Sequence, residues 1–222
     1  MNLGPPVMRY QLLALDIDGT LTGPDGAVAP ETGRAVVKAA QAGMRVCLAT
    51  GRSYLEALPV WQALGLPEPH EPMVLIGGAL VSEAGTGRTL FQRTIARDLA
   101  CEFAGALAEA GHSAMAIVDA WRHGLDYYLV ESGDVHAAQR LWFSRMRVRV
   151  RSVARLAEAA AGHDVLRVSA VVDPERAPAL AAGLAERFDG RLNVHAIRVP
   201  DYRCTVVEAF DAHADKLAAV LY

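Results

Sequence analysis

The stretch that decides the fold is Tyr10-Gln11-Leu12-Leu13-Ala14-Leu15-Asp16-Ile17-Asp18-Gly19-Thr20-Leu21. It begins as a short apolar run without polar alternation. Such a run predicts a strand buried on both faces, as in a parallel sheet, with a buried helix as the alternative that periodicity alone leaves open. Two carboxylates one residue apart follow, then Gly19 and Thr20. A strand places residues i and i+2 on one face, and an apolar core does not hold two unpaired carboxylates. The strand is therefore expected to end here and to present Asp16 and Asp18 at its carboxyl edge, where open α/β sheets bind ligands.

The next segments repeat the pattern. Gly23-Pro24-Asp25-Gly26 is a turn signal. Pro30-Glu31-Thr32 opens a helix that ends at Gly43, with proline in the first turn and glycine at the end. Met44–Ala49 predicts a second strand, carrying Thr50-Gly51-Arg52 at its carboxyl end. A helix over Ser53–Leu64 follows, capped by Ser53 and stopped by Gly65. Met73–Ile76 predicts a third strand, followed by Gly77-Gly78. Strand, helix, strand, helix, strand argues for a doubly wound parallel sheet, an α/β Rossmann-like core.

Beyond Ala79 the pattern changes to α+β. Two short strands flank the glycine-rich loop Ala84–Arg88. Helices are expected at 98–110, 134–143, 153–161 and 174–188, the last capped by Asp173, with strands at 114–118, 126–130, 148–150, 165–172, 192–199 and 204–208. The expected organisation is a discontinuous core, 1–83 and 201–222, interrupted by an inserted α+β lid domain over 84–200. A last helix begins at Asp215.

Composition narrows the function classes. The chain has 222 residues, 52% hydrophobic and 21% charged, which is a folded rather than disordered composition. No apolar run reaches the roughly 18 residues of a membrane span, and Met1–Arg9 lacks the pattern of a signal peptide, so a cytoplasmic protein is expected. A net charge of −3 gives no support for nucleic acid as a partner. Cys47, Cys101 and Cys204 are far apart and read as reduced core thiols. The alternation Arg145-Met146-Arg147-Val148-Arg149-Val150-Arg151 would place four guanidinium groups on one strand face, either as a charge-protected edge or as a contact for an acidic partner. Lysine occurs only at Lys38 and Lys216.

Asp16-Ile17-Asp18-Gly19-Thr20-Leu21 resembles the first motif, DxDGT, of the haloacid dehalogenase-like phosphatases. Thr50-Gly51-Arg52 is similar to their second motif in the Cof-type sugar-phosphate phosphatases. Gly77-Gly78-Ala79-Leu80-Val81 resembles the segment leading to the lid in that subgroup, with Gly77 where asparagine is usual. Lys216 in Ala214-Asp215-Lys216-Leu217 looks like the third-motif lysine.

The resemblance implies a phosphatase acting on a small phosphorylated metabolite, a sugar phosphate first. Asp16 would be the nucleophile, since a carboxylate can carry a phosphoryl group. Asp18 would be general acid and then base. Thr50 would offer a hydroxyl and an amide to a phosphate oxygen, and Lys216 would neutralise the charge that Asp16 and the phosphate share. Gly19, Gly51, Arg52, Gly77 and Gly78 would border the substrate. Asp16 and the Asp18 main-chain carbonyl would ligate Mg²⁺. A phosphomutase is the alternative within the same chemistry, and an inert binding module the alternative outside it. The family also has a fourth motif, an acidic pair about a helix length beyond the lysine. Tyr222 falls inside the helix that should precede it, so the expectation is that the sequence is shortened. The oligomeric state is not legible.

Overall fold

The computed structural model describes residues 10–23, 26–66, 71–133, 135–146, 148–159 and 162–222. Pro24 and Asp25 of the expected turn, the lead-in Met1–Arg9, Asp134, Arg147, Ala160 and Ala161 lie outside them. The chain forms two compact units, residues 1–90 with 216–222, and residues 91–215.

The first unit is built on a five-stranded sheet in the order β1-β2-β3-β4-β5. In chain order these are β1 (Leu12–Leu15), α1 (Pro30–Gln41), β2 (Arg45–Ala49), α2 (Tyr54–Leu64), β3 (Pro72–Leu75), β4 (Leu80–Glu83) and β5 (Thr89–Gln92). β1, β2 and β3 run parallel and β4 returns antiparallel to β3. The α/β Rossmann-like core expected from the strand–helix alternation is present. β2 and β3 are buried almost throughout, as continuous apolar runs require. β1 departs from that expectation: it alternates exposed and half-buried, because it pairs only with β2 and forms the edge of the sheet among the described residues.

The ends of α2 are set by local chemistry. Glu56 Oε2 accepts hydrogen bonds from the Ser53 amide at 3.0 Å and the Ser53 hydroxyl at 2.7 Å, which satisfies donors that a helix start leaves orphaned. Gly65 closes the helix in the left-handed conformation, φ 62° and ψ 32°.

The second unit holds α3 (Arg97–Glu109), β6 (Ala114–Val118), α4 (Ala120–His123), β7 (Tyr127–Val130), α5 (Ala137–Arg145), β8 (Val150–Val153), α6 (Leu156–Ala159), β9 (Val165–Val172), α7 (Ala177–Arg187), β10 (Leu192–Val199) and β11 (Cys204–Asp211). Its sheet runs β10-β11-β9-β6-β7-β8. All neighbours are antiparallel except the parallel pair β7 and β8. One core cluster gathers Phe103 and Leu107 of α3, Leu184 of α7, Phe188, and Val168, Ala170, Val172 and Val207 of the sheet. The buried Glu208 Oε2 pairs with Nη1 of the half-buried Arg167 at 2.9 Å.

Three expectations are corrected in this unit. Residues 201–222 do not all belong to the first unit. β11 pairs with β10 over eight positions, from Leu192↔Asp211 to Val199↔Cys204, and with β9 on its other side. The expected boundary at 200/201 thus falls in a hairpin turn, and the divisions lie at 90/91 and 215/216. The four arginines do not share a strand. Arg145 ends α5, β8 starts only at Val150, and Arg149 turns back to Asp126, its Nε 2.9 Å from Oδ2. Asp173 does not cap α7, which begins at Ala177; its carboxylate meets His136 Nε2 at 3.1 Å instead.

The chain then returns to the first unit as α8 (Lys216–Val220), which packs on β2, β3 and the turn after β3. No helix among the described residues is long and apolar enough to cross a membrane. All three cysteines are free thiols, and burial raises the pKa of each above its ordinary value.

Candidate active site

β1 ends at Leu15, and the chain folds at once into a tight turn around a single carbonyl. Ile17 O accepts from the amides of Thr20, Leu21 and Thr22 at 3.3, 3.0 and 3.0 Å and from the Thr22 hydroxyl at 3.0 Å. The Ile17 side chain is fully buried and anchors the turn by its apolar surface. Asp16 and Asp18, on either side of it, are left half-buried and exposed. Gly19 follows with φ 74°, a left-handed conformation that costs a residue with Cβ roughly 1–2 kcal/mol.

The loop after β2 is fixed against the turn after β3. Thr50 N donates to Val74 O at 2.9 Å, Gly77 N to Thr50 O at 3.1 Å, and Ile76 N to Arg52 O at 3.0 Å. The expected amide donation from Thr50 to a phosphate oxygen is therefore not available: the β2–β3 ladder runs one residue past Ala49 and uses that N–H. The Thr50 side chain is buried, and its Oγ1 accepts the Arg52 amide at 3.2 Å. Gly77 likewise spends its amide on Thr50. The turn itself is strained. Ile76, Gly77 and Gly78 have φ values of 51°, 64° and 100° in succession. Left-handed backbone is unusual for a β-branched residue such as Ile76 and marks stored strain of order 1–3 kcal/mol. At Gly77 the conformation is one that glycine and asparagine both adopt, which accounts for glycine where asparagine was expected.

Two cations meet the two carboxylates. Lys216 Nζ lies 2.7 Å from Asp16 Oδ1, with side chains 42% and 41% exposed. Arg52 grips Asp18 with two donors, Nη2 at 2.6 Å from Oδ1 and Nε at 3.1 Å from Oδ2, and its Nη1 donates to Glu56 O at 3.4 Å. The hydrogen bond to Asp18 raises the Arg52 pKa, against a smaller opposing effect of burial. Asp16, Asp18, Thr50, Arg52 and Lys216 are thus assembled within the first unit, with Gly77 supporting the Thr50 loop from behind. The sequence did not disclose the Arg52–Asp18 pair or the Ile76 conformation. The fork geometry of arginine toward a carboxylate is a general signal, but nothing local links positions 34 residues apart.

Hard oxygen donors at the end of β1 are the Asp16 carboxylate, whose Oδ2 has no protein hydrogen bond among the described residues, and the Asp18 main-chain carbonyl. Mg²⁺ takes one or two carboxylates and fills its remaining positions with water and phosphate oxygens, so this donor set fits it. No cluster of three or more His, Cys, Asp or Glu side chains suited to a metal occurs among the described residues.

Over 57 residues, 26% of this chain and 21% of the relative, the sequence is 47% identical to the HMP-PP phosphatase of Serratia proteamaculans. Over 62 residues, 28% of this chain and 23% of the relative, it is 37% identical to the pyridoxal phosphate phosphatase YbhA of Escherichia coli. The chain thus matches less than a quarter of the length of these curated relatives. The fold resembles that of a haloacid dehalogenase-like hydrolase from Bacteroides thetaiotaomicron, with a TM-score of 0.73 and 17% identity over 96% of this chain and 75% of that one. The family model of the haloacid dehalogenase-like hydrolases matches residues 13–222, from β1 through both carboxylates and the Thr50 loop to Lys216, and the chain belongs to that family.

Proposed function

We propose that the protein is a phosphatase that hydrolyses a small phosphorylated metabolite through an aspartyl-phosphate on Asp16. The observation that carries this reading is the 2.7 Å contact between Lys216 and Asp16, made across 200 residues of sequence. A carboxylate attacking an anionic phosphate needs a fixed positive charge at the point of approach. Asp16 Oδ2 attacks phosphorus as the ester P–O bond breaks, and Asp18 gives its proton to the departing oxygen. A water then attacks phosphorus, Asp18 takes the water's proton, and the Asp16–phosphate bond breaks to release inorganic phosphate. The Thr50 hydroxyl keeps its own proton while its oxygen accepts from Arg52 N, but the residue is fully buried, so giving that proton to a phosphate oxygen would require the loop to uncover it. Asp16 and the Asp18 carbonyl would hold Mg²⁺, which when bound neutralises charge on the phosphoryl oxygens.

The names of the two curated relatives support a small phosphate ester as substrate, and the resemblance of the motifs to the Cof-type subgroup supports a sugar phosphate first among them. The test is phosphate release by the native protein from sugar phosphates, pyridoxal phosphate and other small esters, with and without Mg²⁺. Release that requires Mg²⁺ and vanishes in Asp16→Ala is expected. Absence of Mg²⁺-dependent release, or release unchanged in Asp16→Ala, would overturn the reading.

A further inference from the structure

We infer that Arg52 is a positioning residue for the acid/base step, holding the Asp18 carboxylate as Lys216 holds that of Asp16. This rests on the phosphatase reading above and assigns Arg52 a task other than contact with substrate.

Each carboxylate has its own cation from a different element. Lys216 comes from the start of α8 and reaches Asp16. Arg52 comes from the loop after β2 and reaches Asp18. The Arg52 contact uses both carboxylate oxygens, at 2.6 and 3.1 Å, so it fixes the plane and rotation of the group and not only its charge. Asp18 needs such a fixture: its side chain is 64% exposed and sits beside a glycine, whereas Arg52 is 28% exposed. The guanidinium is itself held. Its Nη1 donates to Glu56 O, its amide to Thr50 Oγ1, and its carbonyl accepts from Ile76 N. Glu56 is fixed in turn by the Ser53 cap of α2. The strained turn at Ile76 thus supports Arg52, and Arg52 aims Asp18.

The consequence concerns one bond. When the ester P–O bond breaks, the Asp16–phosphorus bond forms and Asp18 gives the departing oxygen a proton carried on Oδ2, which must first release the 3.1 Å contact with Arg52 Nε, while Arg52 Nη2 keeps its 2.6 Å hold on Oδ1. A departing alkoxide needs that proton, and a departing nitrophenolate does not. Misaiming Asp18 therefore slows alkyl phosphates selectively, because a positioned acid contributes about 10²-fold or more only where the leaving group needs it.

The experiment compares wild type, Arg52→Met and Arg52→Lys in the native protein with Mg²⁺, on an alkyl phosphate and on p-nitrophenyl phosphate. For Arg52→Met, kcat on the alkyl ester should fall about a hundredfold more than on the aryl ester, with KM little changed. Arg52→Lys, which keeps the charge but loses the fork, should recover only part of the loss, and free guanidinium should restore activity to Arg52→Met. In an Asp18→Asn background the same Arg52 substitution should have no further effect on the ratio between the two esters. Equal losses on both esters, a loss confined to KM, effects that multiply in Asp18→Asn, or faster alkyl hydrolysis in Arg52→Met would each overturn the assignment. The alkyl ester is one that wild type hydrolyses in the test above; if wild type hydrolyses none of those esters, the phosphatase reading has failed instead. Matching unfolding midpoints for the variants exclude misfolding as the cause.

Discussion

Replacing Lys216 by methionine separates catalysis from stability at this site. The substitution keeps an unbranched stem and removes the charge 2.7 Å from Asp16 Oδ1. At that distance two unit charges attract by about 6 kcal/mol at an effective dielectric of 20, and by about 1.5 kcal/mol in bulk water. Both side chains are close to half exposed, so the value for folding lies at or below the watery limit. Entropy and screening bring it to about 0–1 kcal/mol. A shift of that size moves the unfolding midpoint of a chain this long by no more than about 2–4 °C. The transition state is different, because a second anion then lies against Asp16 in a site from which water is displaced. Losing one preorganised positive partner of a developing charge costs about 10²–10³ in kcat, or roughly 2.7–4 kcal/mol. Lys216→Met should therefore lose about two to three orders of magnitude in kcat while unfolding almost as wild type does, and Lys216→Arg should regain part of the activity. The measurements are steady-state kinetics on whichever small ester the native protein hydrolyses and thermal unfolding followed by circular dichroism. A folded Lys216→Met enzyme with kcat within about threefold of wild type would show that Lys216 does not face the reacting charge. A midpoint lowered by 10 °C or so would show that the pair serves the fold instead.

Three further outcomes follow from the geometry. At Gly77, φ 64° and ψ 16° should make Gly77→Asn nearly neutral while Gly77→Val costs more than about 1–2 kcal/mol in chemical denaturation, the order being set by tolerance of left-handed backbone. Gly133→Ala would bring a Cβ within 2.7 Å of the Gly111 carbonyl carbon and 2.8 Å of His112 N, backbone atoms that cannot swing aside, whereas a Cβ at Gly105 in α3 meets nothing within 4 Å. Gly133→Ala should destabilise by about 1–3 kcal/mol and Gly105→Ala should stabilise by up to about 1 kcal/mol. His163 stacks on His123 at 4.2 Å and shares a 2.6 Å hydrogen bond with Tyr128. Burial first, then the charges of His123 and Arg151, lower its pKa from 6.5 against the pull of Asp164. The folded state thus favours the neutral ring. Its stabilisation is present above the unfolded value of 6.5 and is lost as pH falls below it. The unfolding midpoint should drop as pH falls below 6.5, and His163→Gln should flatten that dependence.

The sequence by itself determined the features that depend on neighbours in the chain. The apolar runs at 12–15, 45–49 and 72–75 became strands, and Ser53, Glu56 and Gly65 set the limits of α2 through contacts within a few residues. The end of β1 before Asp16 and Asp18 was legible for the same reason, since two charges and a glycine break the apolar run there, although the strand they end is the half-exposed edge strand and not a buried one. The second unit was legible in element order apart from the four-residue α4, but not in extent. Nothing at Pro200–Tyr202 distinguishes a domain crossing from a hairpin turn, and only the pairing of β11 with β10 and β9 assigns it.

Tertiary structure alone decided that Arg52 meets Asp18, and it sets the contact between Lys216 and Asp16 that the motifs only implied. Lys216 reaches Asp16 because α8 packs on β2, β3 and the turn after β3. Arg52 turns to Asp18 because its own backbone is pinned between Thr50 and Ile76. Thr50 has no amide to offer because the sheet has used it. Sequence motifs specify residue types at fixed spacings along the chain. The direction of a donor and the competition for it depend on elements brought together across 34 and 200 residues, and those are fixed only when the chain closes on itself.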